Sequence, residues 1–148
     1  MIKEFIEKWN KYGFKLEKYF KETEMSKYSD YIDILKAIID LVINSGLPPN
    51  DEYGEYSTEK ITEIDDGDYQ GMKLFIIPKN TYQPWIDEYL FTYVDYGSCE
   101  GCDTLLGIMD YKDGLPTEDQ VKDFMTLALH LIERMKRWVE IDEENDRP

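Results

Sequence analysis

Cys99 and Cys102 are separated by two residues, and thiolates at that spacing can share one metal ion or close a redox disulfide. A tetrahedral zinc site needs four ligands. The chain has one histidine, His130, and no second CxxC, so carboxylates such as Asp103 or Asp110 would have to complete the shell. A thioredoxin-like role needs the pair at a helix start with a lowered thiol pKa, whereas Glu100 and Asp103 flank the sulfurs and oppose the thiolate. The segment therefore reads first as a tight turn with two reduced, partly buried thiols and no cofactor. The alternative is a thiol or zinc site built on Cys99, Cys102, Asp103 and His130.

Other candidates are read in the same way. His130 sits beside an apolar helical stripe, where a surface or hydrogen-bonded histidine is the simpler expectation than a general base, since no nucleophile can be assigned to it. The run Asp65-Asp66-Gly67-Asp68 lacks the spaced ligands and distal Glu of an EF-hand loop, and reads as a solvated hairpin turn. There is no GxGxxG, Walker loop or GxSxG, and acids are too abundant for one catalytic pair to stand out, so the balance is against an enzyme. Tyr82 and Trp85, in a connection next to Pro84, have the residue types of a protein contact, and with Asp65, Asp66 and Asp68 they form the expected binding set. Arg134, Lys136 and Arg137 are the one obvious cationic cluster for an anionic small ligand, although at a helix end they also complement the dipole.

Charge narrows the partner. The 148 residues carry a net charge of −15, and residues 1–46 are balanced, so the whole excess lies in residues 47–148. A field of this sign repels phosphate backbones and anionic lipid, which argues against direct nucleic-acid or membrane binding and for a protein with a basic surface. No run reaches the eighteen or so apolar residues of a membrane span, the start is an amphipathic mixed-charge segment, and two cysteines are too few for a disulfide framework. A cytoplasmic location is expected. At 42% apolar and 33% charged the composition is globular, and the length suits one domain over residues 1–141, followed by a disordered acidic tail over 142–148. Nothing in the pattern fixes an oligomeric state.

The expected fold class is α+β: two N-terminal helices, a three-stranded antiparallel meander and a long C-terminal helix packed on it. Ile2, Phe5, Ile6, Trp9, Leu16 and Phe20 make the first helical stripe, which Gly13 weakens enough for a break. The second helix covers 30–45, with Ser29 as cap and Gly46 as stop. Strands are read at 57–65, 69–77 and 89–96, the first two as a hairpin. Residues 104–111 fit a helix or a strand. Thr117 to Gln120 fits a capping box, and the stripe behind it runs through Met135 to Trp138.

Three segments carry a resemblance: Asp66-Gly67-Asp68-Tyr69-Gln70-Gly71 with Leu74 to Pro78, Tyr96-Gly97-Ser98-Cys99 with Gly101 to Leu105, and Met125 to His130. Over roughly residues 60–137 the chain resembles a family of small uncharacterised proteins encoded by phages and prophages of low-GC Gram-positive bacteria, with the YGSCxGCDT segment as its most specific part. The resemblance implies a setting and no activity, and it makes Cys99, Cys102, Asp103 and His130 recurrent positions. Together with the charge it leads to the expectation of an accessory protein that binds and inhibits a host protein, a nucleic-acid-handling or defence factor, through an acidic face. A metal or thiol protein and a small-ligand sequestering protein are the alternatives.

Overall fold

The computed structural model describes residues 2–26, 29–47, 54–98, 101, 103–110 and 113–138. Cys99, Cys102 and the tail expected at 142–148 lie outside the described residues. The first helix, α1 (Lys3–Glu22), is continuous, with Phe5, Leu16 and Phe20 buried along one face. The expected break at Gly13 does not occur, because the glycine is itself buried, close under the Trp9 ring, and the apolar stripe on both sides outweighs its helix cost of about 1 kcal/mol.

The second helix, α2 (Tyr31–Ile38), is capped by Asp30 rather than Ser29. The Asp30 carboxylate accepts from the Tyr31 amide at 2.7 Å while Asp33 accepts from the Asp30 amide at 2.9 Å. Ser29 is turned the other way, accepting from the Ser26 amide. From Ile39 to Ile43 the helix widens to a π turn, marked by the Asn44 amide reaching the Ile39 carbonyl. Lys8 of α1 donates to the Ile43 carbonyl at 2.5 Å and so satisfies a helix-end acceptor. The chain leaves at Gly46, where φ is +77° and an added Cβ would meet the Tyr12 hydroxyl. Gly46→Ala is expected to cost about 1–2 kcal/mol, the left-handed penalty for an L residue, read as a lower urea midpoint at unchanged slope.

The sheet has four antiparallel strands in the order β1 (Thr62–Asp65), β2 (Gly71–Pro78), β3 (Tyr89–Tyr96) and β4 (Lys136–Arg137). Alternation sends Phe75 and Ile77 of β2, and Leu90, Thr92 and Val94 of β3, into the core formed with the helices. Buried Thr92 is tolerated because its hydroxyl donates to the Leu131 carbonyl at 2.7 Å.

The open choice between helix and strand at 104–111 resolves to a helix, and the expected end of the last helix changes. Residues Thr104–Met109 form a short helix, α3. The last helix, α4 (Glu118–Glu133), keeps its Thr117–Gln120 capping box but ends well before Trp138. After buried Met135 the chain extends, and Lys136–Arg137 pairs with Leu90–Phe91 as a fourth strand in place of the expected three. The pairing gives the edge of β3 backbone partners at Leu90 and Phe91, and Trp138 lands beside Phe91, ring centroids 6.1 Å apart.

Candidate functional site

Asp103 is the node nearest the CxxC. It precedes α3, and its Oδ1 accepts from the Leu106 amide (3.0 Å) as an N-cap and from the Tyr31 hydroxyl (2.7 Å), while Oδ2 accepts from the Gly97 amide (2.9 Å). Tyr31 in turn accepts from the Leu105 amide at 3.1 Å. Asp103 and the Tyr31 hydroxyl are buried, so each partner is needed. Burial pushes the Tyr31 phenol far above its usual value; the Leu105 amide opposes that and Asp103 adds to it. The bond from Gly97 to Asp103 pins together the two ends of the segment that contains both cysteines.

His130 is exposed on α4, whereas Asp103 is buried with three donors on its carboxylate. Among the described residues no three His, Cys, Asp or Glu side chains form a group able to hold a metal.

The acidic hairpin turn is knitted by its own carboxylates. Asp65 accepts from the Gly67 amide at 3.0 Å and from the Tyr96 hydroxyl, which also lies 2.7 Å from the Gly67 carbonyl. Asp66 accepts from the Met72 amide at 2.6 Å. Gly67 is required by close approach, since a Cβ there would lie 2.0 Å from the Gln70 carbonyl oxygen. Beneath the turn Lys73 meets Asp30 at 3.0 Å and Glu63 at 3.9 Å and lies over the Tyr96 ring. Partial burial alone would lower the Lys73 pKa, but the hydrogen bond and charge of Asp30, with Glu63 and Asp65, outweigh it and hold it above its ordinary value.

The Tyr96 phenol is pushed up to about 12, first by its hydrogen bond to Asp65 and then by burial and the neighbouring carboxylates. The same hydrogen bond, with the Gly67 amide, lowers Asp65. The raised phenol contributes stability that is complete below the unfolded tyrosine value of about 10 and is lost as pH climbs towards the folded value. The lowered carboxyl contributes above its unfolded value of about 4 and loses that contribution as pH falls through the folded one. Phenolate absorbance, with Tyr96→Phe subtracted, should show Tyr96 ionising late in the wild type and moving towards about 10 in Asp65→Asn; an unchanged titration would contradict the pairing.

The connection from β2 to β3 holds the second group. Its base is closed by the Lys79 amide donating to the Glu88 carbonyl (2.9 Å) and the Asn80 amide to the Glu55 carbonyl (2.7 Å). Its β3 end is a 3-10 turn, Ile86–Glu88, in which Glu88 accepts from the Trp85 amide at 3.1 Å and its own amide donates to the Trp85 carbonyl at 2.8 Å. Trp85 and Ile86, in this turn, are 77% and 58% exposed, and Tyr82, between the base and the turn, is 94% exposed. Large apolar side chains held out into solvent by a hydrogen-bonded turn need a reason beyond packing.

The expected binding set is therefore divided. Asp65, Asp66 and Asp68 lie at the Gly71–Tyr96 end of the β2–β3 ladder, while Tyr82 and Trp85 lie beyond the Pro78–Tyr89 end. Eight paired residues, seven steps of about 3.4 Å, separate the two groups by roughly 24 Å. Ile86, Tyr31, Tyr96 and Lys73 were not among the expected site residues. Ile86 adjoins Trp85 in a polar connection and was legible as a third contact.

Comparison of the chain with known protein families, curated proteins and solved structures finds no match. No helix among the described residues is long and apolar enough to cross a membrane.

Proposed function

We propose that this protein binds a host protein through the Tyr82–Trp85–Ile86 loop and blocks it, its acidic surface selecting a partner with a basic face. The observation that carries this reading is the exposure of those three side chains on a loop whose base and Trp85–Glu88 turn are both held by hydrogen bonds. Little ordering entropy is then lost on contact, and aromatic anchors of this kind dominate interface energies. The charge of −15 serves mainly to speed and orient encounter. A cytoplasmic phage or prophage product acting on a nucleic-acid-handling or defence factor fits that chemistry, because the surface such a factor offers to phosphate is basic.

The test is capture from a host lysate at low and high salt with wild type and a Tyr82→Ala/Trp85→Ala double variant. A basic protein retained by wild type, released at high salt and not retained by the variant is expected. Equal retention by both would sink the loop as the contact.

A thiol or zinc site at Cys99 and Cys102 is the second reading, favoured by the Gly97–Asp103 bond that holds the ends of their segment together. The Asp103 oxygens already accept three hydrogen bonds, so this reading rests on the thiols more than on Asp103. Elemental analysis with thiol titration decides it. Stoichiometric zinc lost together with thiol protection would support it, and metal-free protein with two freely titrating thiols would remove it.

A further inference from the structure

We propose that the open edge of β1 accepts an extended segment of the partner as a fifth strand, a segment that alternates basic and apolar residues. This rests on the reading of the chain as a binder of a basic protein, and names the piece of that protein which enters the sheet.

The backbone argument comes first. β1 is at the end of the sheet, its four residues are exposed, and among the described residues no strand pairs with its outer side. The Asp66 amide donates to the Met72 carbonyl at 3.2 Å, and the register runs on through Ile64 opposite Leu74 and Thr62 opposite Ile76. Antiparallel pairs alternate between those that exchange hydrogen bonds and those that do not, so Ile64 and Thr62 point their backbone groups at β2. The N–H and C=O groups of Glu63 and Asp65 therefore point outward, as a template for another strand.

Side chains then select the occupant. Ile64, 48% exposed, stands on one face beside Leu74, while Glu63 and Asp65 stand on the other with Lys73 between them and β3, and with Asp66 and Asp68 in the adjoining turn the carboxylates there outnumber that one cation. An added strand would place every second side chain beside Ile64 and the rest beside the two carboxylates, the first favouring an apolar group and the second a cation. A second copy of β1 would instead set Glu63 and Asp65 against the same residues, and like charges side by side are destabilising. The opposite edge, β4, is two residues long and so offers a shorter template than β1.

The probe is a capped nine-residue peptide of alternating lysine and valine, titrated into the full chain and followed by amide NMR and hydrogen exchange. Saturable shifts centred on Glu63 and Asp65 are expected, with exchange at those two amides slowed at least tenfold. Glu63→Pro removes an outward N–H without touching the bonds to β2, and should abolish the shifts while the unfolding midpoint stays near that of wild type. Glu63→Gln keeps the N–H and should bind more weakly with a shallower salt dependence. Shifts confined to the Trp85 loop, no shifts at all, or undiminished binding by Glu63→Pro would each overturn the proposal. Loop and edge fail separately, because loss of partner capture in Trp85→Ala reports on the first and loss of peptide binding in Glu63→Pro on the second.

Discussion

Trp85→Ala is expected to weaken partner binding by about 30- to 1,000-fold, corresponding to about 2–4 kcal/mol for truncating an aromatic anchor at the centre of an interface. The same change should leave the unfolding midpoint almost unmoved, since the ring is 77% exposed and the bonds that shape the turn use the Trp85 backbone. The pairing of a large binding loss with a small stability change is the informative result. If binding fell only in proportion to lost folded protein, the loop would be a structural connection and the contact would lie elsewhere. Glu88→Ala provides the complementary case: it keeps the aromatic rings and removes the carboxylate that receives the Trp85 amide. A loop held less firmly loses more entropy on binding, so a smaller but measurable weakening, about 3- to 10-fold, should follow.

The largest stability loss outside the apolar core is expected at Asp103. Replacing it by alanine leaves the Tyr31 hydroxyl and the Gly97 and Leu106 amides without their acceptor and removes the cap of α3. At about 1–3 kcal/mol for each buried donor left unsatisfied, moderated by entry of water, the cost should be about 3–5 kcal/mol, a large share of the 5–15 kcal/mol typical of a domain. Asp103→Asn retains one oxygen for Tyr31 and Leu106 but presents an amide to Gly97, and should cost about 1–2 kcal/mol. Urea unfolding of the pair separates a hydrogen-bonding node from a spare carboxylate; an alanine variant as stable as wild type would show that these bonds contribute nothing net.

Legibility of the fold followed the strength of local pattern. β3 was read with both ends in place because Tyr89 to Tyr96 is a run of β-branched and aromatic residues, and the structure turns Leu90, Thr92 and Val94 of that run inward. The stop of the second helix at Gly46 and the capping box at Thr117 were legible for the same reason, each being a local backbone requirement with its own residue type. β4 was not legible: two residues have no period, and Met135 and Trp138 at a spacing of three continue a helical stripe as readily as they bracket an extended pair. The cap assigned to Ser29 fell on Asp30 because adjacent serine and aspartate are both good caps, and only the reciprocal bond with Asp33 chooses between them.

The site was half legible. Acidic turn and loop aromatics were both found from composition, yet they are close in sequence and far apart in space, since the whole of β2 runs between them. Asp103 entered the reading as one ligand of an alternative metal site; that its carboxylate also holds the Tyr31 hydroxyl, 72 residues away, is a pairing that sequence distance hides. Turn carboxylates that looked free are in part structural, and charge counted along the chain says nothing of which oxygens already accept hydrogen bonds.

The most direct test places Trp85 alone as the fluorophore, by Trp9→Phe and Trp138→Phe, and titrates the purified partner. Burial of an exposed anchor predicts a blue-shifted emission and protection from acrylamide that saturate with binding. Trp85 emission that stays red and freely quenched while the partner is bound would contradict the proposed contact.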